Sequence, residues 1–167
     1  RKKGEEINKG ELLIKKGTRV TANELGTIAT FGYGELCVSR KPRVSVFATG
    51  NELIEPGNSL GKGQIYNSNL YLFKDLIKKA GAKIEMSEVV KDDKNSLKLF
   101  LSKALKNSDL VISSGGISMG RYDHVRDVLI ELGVEEHFWK VAQKPGKPLF
   151  FGTKEKKIIF GLPGNPV

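Results

Sequence analysis

The run Ser113-Ser114-Gly115-Gly116-Ile117-Ser118-Met119-Gly120, followed by Asp123, places hydroxyls, glycines and an acid where a strand should give way to a helix. Glycines let backbone N–H groups come close to an anion, and the first turn of a helix leaves N–H groups unpaired beside a partial positive charge. This chemistry suits a phosphate-bearing ligand. A plain turn also needs glycine, so what matters is the company this stretch keeps. Four other polar clusters also follow expected strands: Thr49-Gly50-Asn51-Glu52, Lys91-Asp92-Asp93, Lys140 to Lys147, and Gly161-Leu162-Pro163-Gly164-Asn165-Pro166. In an open parallel sheet, ligands bind beyond the carboxyl ends of the strands, so all five clusters should meet on one rim. That rim would carry the acids Glu52, Asp92 and Asp123 and the lysines Lys140 and Lys144. Magnesium takes carboxylate, phosphate and water oxygens, and lysines add point charges for further anions. The residues alone therefore point to phosphoanhydride or phosphoester chemistry with a divalent metal, and leave open which acid moves a proton and which holds the metal.

The elements that must position these groups follow from hydropathy. Residues 43–49, Arg-Val-Ser-Val-Phe-Ala-Thr, form the first core strand by their β-branched and aromatic content. A helix over residues 69–80 puts Leu70, Phe73, Leu76, Ile77 and Ala80 on one face, with Gly81 as its stop and a strand at 84–90 behind it. Asn95 or Ser96 opens the next helix, with Leu97, Phe100, Leu101, Ala104 and Leu105 inward, before a strand at 109–114. Val125, Val128 and Leu129 mark a third helix that Gly133 ends, and short strands follow at 137–141, 149–152 and 157–161. Such alternation predicts a mostly parallel sheet with helices on both faces, a three-layer α/β/α architecture. The first forty or so residues differ. They have β-like runs at 11–14 and 35–39 around one short helix, capped by Thr21 with Glu24 completing a capping box and with Leu25, Ile28 and Ala29 as its apolar face.

Composition narrows the class. With 167 residues, 39% hydrophobic, the chain can bury a real core. One cysteine, Cys37, and two histidines, His124 and His137, provide neither an internal disulfide nor a zinc ligand set. No apolar run reaches the ~20 residues of a membrane span, and no signal-peptide core follows the basic start, which predicts a soluble, cytoplasmic protein. The net charge of +9 is the excess of 28 basic over 19 acidic residues, and the basic ones are spread along the chain without interleaved aromatics, the pattern of a solvated surface rather than a nucleic-acid interface. Both ends read as cuts in a longer protein: residues 1–41 as the remnant of a preceding domain and residues 42–167 as the α/β domain, truncated before a C-terminal β-rich domain.

Five motifs in order carry a resemblance: residues 48–53 (Ala-Thr-Gly-Asn-Glu-Leu), 63–69 (Gly-Gln-Ile-Tyr-Asn-Ser-Asn), 113–123, 144–148 (Lys-Pro-Gly-Lys-Pro) and 162–166 (Leu-Pro-Gly-Asn-Pro). Together they resemble the molybdopterin molybdenumtransferase family, which includes the gephyrin E domain. The resemblance implies a MoaB/Mog-like molybdopterin-binding α/β fold. It further implies magnesium-dependent insertion of molybdate into adenylated molybdopterin, with release of AMP, by a homodimer that a molybdopterin adenylyltransferase partner could supply. It assigns catalysis to Glu52, Asp92, Asp123, Lys140 and Lys144, and metal binding to the three acids. Ligand binding falls to Thr49, Gly50, Ser113, Ser114, Gly115, Gly116, Ser118, Gly120, Pro163, Gly164 and Asn165. Asn51 stands where many relatives carry aspartate, and His124 where tyrosine is common. Two alternatives remain: the adenylyltransferase of the same fold, whose loop typically reads Gly-Gly-Thr-Gly where this chain continues Ile117-Ser118-Met119-Gly120, and a non-catalytic gephyrin-like scaffold module.

Overall fold

The structure is a computed structural model, and it describes residues 7–117, 124–144 and 146–165. The chain divides into two compact units, residues 1–40 and 41–167. In the first, helix α1 (Ala22–Thr30) starts as its caps require: the Glu24 carboxylate accepts from the Thr21 N–H (2.8 Å) and from the Thr21 hydroxyl. The β-like runs at 11–14 and 35–39 form no strand. Leu12 and Val38 are mostly exposed, and a short run that pairs with nothing cannot satisfy its backbone as a strand. Of the expected α1 face only Ile28 is buried, while Leu25 lies open.

The second unit is the layered α/β domain. Strands β1 (Arg43–Thr49), β4 (Lys83–Val90), β5 (Leu110–Ser114), β8 (Lys157–Leu162), β7 (Pro148–Lys154) and β6 (Glu135–Lys140) form one six-stranded sheet in the order β4-β1-β5-β8-β7-β6. The first four are parallel, whereas β7 runs antiparallel to both neighbours, which returns β6 to the common direction. Two short strands, β2 (Leu53–Ile54) and β3 (Ile65–Tyr66), form a separate parallel pair after β1.

Side-chain alternation along β1 separates the two cores. Val44 and Val46 pack with Leu70 and Ile77 of helix α2 (Asn69–Lys79) on one face. On the other, Phe47 packs with helices α3 (Lys94–Asn107) and α4 (His124–Glu131), its ring 4.9 Å from that of Phe100. All five expected α3 positions are buried. Leu76 of α2 and Ala80 are exposed instead, because α2 meets the sheet along a narrower stripe, through Leu70 and Ile77. Helix α3 begins at Lys94, ahead of the expected Asn95 or Ser96. Asp93 is its N-cap, accepting from the Ser96 N–H (2.9 Å) and hydroxyl (2.8 Å), and the Ser96 amide is the main reason its carboxyl titrates below the usual aspartate range.

Candidate functional site

A cleft of about 410 Å³ opens at the carboxyl ends of β1, β4, β5 and β8. Its floor depends on two glycines. Gly115 (φ +88°) and Gly116 (φ +70°) both occupy the left-handed region, and neither has room for a side chain. A Cβ on Gly115 would lie 2.7 Å from the Thr49 carbonyl oxygen; on Gly116 it would lie 2.4 Å from Val125 Cγ2 and 2.7 Å from Thr49 Cγ2. The end of β1 and the turn after β5 therefore meet at backbone distance, and the Val125 side chain of α4 packs directly on the turn. The Gly115 N–H continues the ladder, donating to the Leu162 carbonyl (3.0 Å).

Asn69, at the start of α2, ties the walls together. Its Nδ2 donates to the Ser114 hydroxyl (2.7 Å) and to the Gly164 carbonyl (2.7 Å), joining the ends of β5 and β8 to the helix. A carbonyl can only accept, so this contact fixes which end of the amide is nitrogen. The Asn69 Oδ1, Thr49 Oγ1 and Ser113 Oγ are buried with no hydrogen-bond partner among the described residues. Buried polar atoms are nearly always satisfied, so the orphans on the two lining residues, Asn69 Oδ1 and Thr49 Oγ1, call for a polar occupant.

The α2 end of the cleft is pinned from outside. The Glu55 carboxylate accepts from Asn67 Nδ2 (2.8 Å) and Tyr71 Oη (2.9 Å), while Asn67 Oδ1 accepts from the Leu70 N–H (3.3 Å). The Asn67 hydrogen bond is the main reason that Glu55 titrates below the usual glutamate range, and the Glu55 bond raises the Tyr71 hydroxyl in turn.

Of the residues singled out by sequence, Thr49, Gly50, Glu52, Asp92, Ser114, Gly115, Gly116, Gly164 and Asn165 line the cleft. Ser113 lies buried behind them, and Pro163 is next to the lining without being part of it. Ser118, Gly120 and Asp123 fall outside the described residues. Lys140 and Lys144 do not line the cleft. Antiparallel β7, together with β8, separates β6 from β5, so the expectation of five clusters in one site reduces to four plus an outlying pair on the same rim. Sequence reasoning missed Asn67, Ser68 and Asn69 as lining residues; their signal was the 63–69 motif, polar residues placed where a helix begins.

Glu52 and Asp92 give the cleft two carboxylates. Among the described residues no group of three or more His, Cys, Asp or Glu side chains is placed to hold a metal, and no helix is long and apolar enough to cross a membrane.

Residues 45–167 match the family described as the probable molybdopterin binding domain. The chain is 39% identical over 163 residues to the molybdopterin molybdenumtransferase of Staphylococcus epidermidis, covering 98% of this chain and 39% of that protein. It is 38% identical to the Haemophilus influenzae enzyme of the same name, covering all of this chain and 41% of that protein. The chain thus spans about two fifths of the curated relatives it matches. The crystal structure of the molybdopterin biosynthesis MoeA protein of Pyrococcus horikoshii superposes with a TM-score of 0.76 at 40% identity, over 96% of this chain and 40% of that one. The molybdopterin biosynthesis enzyme MoaB of Thermus thermophilus shares the fold, with a TM-score of 0.57 at 17% identity over 75% of this chain and 82% of that one.

Proposed function

This chain belongs to the family of probable molybdopterin binding domains, and on that premise we propose that it serves molybdenum cofactor biosynthesis. It binds adenylated molybdopterin at the cleft, where water cleaves the pyrophosphate linkage, AMP leaves and molybdate is inserted at the dithiolene. The observation that carries this reading is the meeting of a side-chain-free glycine turn, the Thr49 hydroxyl and the Glu52 and Asp92 carboxylates in one cleft.

The roles follow from chemistry. The Thr49 and Ser114 hydroxyls, the latter accepting from Asn69 and so free to donate, supply the donors that phosphate oxygens need, beside the turn at Gly115 and Gly116, with Ser118 and Gly120 as further parts of the cradle. Asn69 holds the turn against the Gly164 loop, so that the cradle is formed before the ligand arrives. Glu52 and Asp92 are the acids that orient the attacking water or accept its proton, with Asp123 as the third of the set.

Magnesium suits these hard oxygen donors: Glu52, Asp92 and Asp123 would hold it, and when bound it neutralises charge developing on the phosphate oxygens. Lys140 and Lys144 stand farther along the rim, at and just after the end of β6, which is three strand steps from β5. A ligand with a pterin at one end and a nucleotide at the other is extended enough to run from the cleft towards them. The same reading assigns the protein to the cytoplasm and to a homodimer supplied by a molybdopterin adenylyltransferase.

The test is to incubate the full-length protein and magnesium with adenylated molybdopterin plus molybdate, and separately with molybdopterin plus ATP. Molybdate-dependent AMP release in the first mixture is the expected result. Pyrophosphate release in the second would replace the reading with adenylyl transfer, and inactivity in both would leave a scaffold.

A further inference from the structure

Trp139 is the sole tryptophan of the chain and lies in β6, on the side of the sheet away from the cleft strands. Its indole N–H nevertheless reaches across to the glycine turn, donating to the Ile117 carbonyl at 2.7 Å. Two cations approach its ring: the Arg126 guanidinium carbon and Lys140 Nζ each lie 4.5 Å from the ring centroid. Arg126, in the first turn of α4, is itself held by a two-pronged pair with Glu136 of β6, at 2.7 and 3.2 Å. Ile117 is fully buried, and its Cγ2 fills the space over Gly161 of β8 that a side chain there would need, 2.6 Å from where a Cβ would lie, so the residue that offers the carbonyl is packed in place. The glycine turn is thus fastened on its upstream side by Asn69 at Ser114 and on its downstream side by Trp139 at Ile117.

We infer that Trp139 is a positioning residue for the glycine turn. Its N–H sets the turn's backbone, while its ring holds Lys140 and Arg126, so that turn and basic groups present one surface to a phosphate-bearing ligand. The inference rests on the phosphate-binding reading of the cleft. It also supplies a link that strand order lacks, because Lys140 is two strands removed from the cleft strands yet shares an indole with the turn.

The test compares Trp139→Phe, which keeps an aromatic ring and deletes the N–H donor, with Trp139→Leu, which removes both. Two measurements are made on the intact protein: amide hydrogen exchange, and calorimetric titration with inorganic pyrophosphate and with molybdopterin. In Trp139→Phe, exchange across residues 113–117 should rise about fivefold or more and pyrophosphate affinity should fall about five- to tenfold, the equivalent of one hydrogen bond, with exchange in β1 and β4 unchanged. Trp139→Leu should weaken pyrophosphate binding further; should it fail to fold, the phenylalanine variant carries the test. Wild-type exchange at 113–117 in Trp139→Phe overturns the inference, as does an increase spread evenly over the sheet, the mark of a merely structural role. If the wild type binds pyrophosphate but not molybdopterin, the proposed function falls while the variants still decide this inference. If it binds neither, exchange at 113–117 decides.

Discussion

The two halves of the sheet are built differently. On the parallel side, β1 is buried along six of its seven residues and lies between two helical layers, whereas at the antiparallel edge β6 is largely open and is held to β7 by aromatic contacts such as Phe138–Phe151 (5.4 Å). Phe151 in turn stacks on Phe160 of β8 at 5.0 Å, which ties the edge back to the parallel strands. The parallel half is a rigid floor: the Gly115 turn closes on Thr49 at backbone distance, and Asn69 locks the Ser114 hydroxyl and the Gly164 carbonyl. The edge carries charge on a strand that can adjust, with Glu135, Glu136 and Lys140 discouraging pairing with another chain. A site whose geometry comes from one half and whose additional charge comes from the other separates precise positioning from electrostatic attraction.

The largest effect that would break this contrast is expected at Gly116. Gly116→Ala puts a Cβ against Val125 and Thr49 in a left-handed backbone, and should cost about 3 kcal/mol or more, read as a lower urea midpoint with unchanged slope. A near-neutral result would mean that the floor yields as easily as the edge. Asn69→Ala comes next. It leaves the buried Ser114 hydroxyl and the Gly164 carbonyl short of a donor, for about 2 kcal/mol of stability, and should also weaken pyrophosphate binding in the same titration.

A smaller effect separates two neighbouring acids. Asp93→Ala should cost about 1 kcal/mol through the lost cap of α3, with ligand affinity retained, whereas Asp92→Asn should keep its melting temperature and lose most AMP release. An exchange of those outcomes would move the functional acid one residue along. Least is expected of Lys140→Ala. Exposed charges contribute less than about 1 kcal/mol, so its stability should match wild type, while ligand affinity falls by about threefold at low salt and by less at high salt. A larger loss that ignores salt would place Lys140 inside the site rather than along its approach.

Much of this was legible along the chain. The strands and helices of the second unit follow from runs of Val, Ile and Phe and from apolar residues at helical spacing, as in α3, where Leu97, Phe100, Leu101, Ala104 and Leu105 are all buried. The runs at 11–14 and 35–39 misled because a short alternating pattern cannot reveal whether a partner strand exists. Asp92 and Asp93 look equivalent in sequence, and the fold divides them: one caps a helix and the other lines the cleft.

The sequence by itself determined the helices and core strands of the second unit, the capping box of α1 and the glycine turns, because those depend on residues within about one helical turn of one another. It also carried the motifs by which the family is recognised. Only the tertiary structure decided that Asn69 bridges Ser114 and Gly164, that β7 sets Lys140 apart from the cleft, and that Trp139 reaches Ile117. Those contacts join residues 22 to 95 positions apart, and what brings them together is the strand order of the sheet, which is set by packing of the whole core and written in no local stretch of the chain.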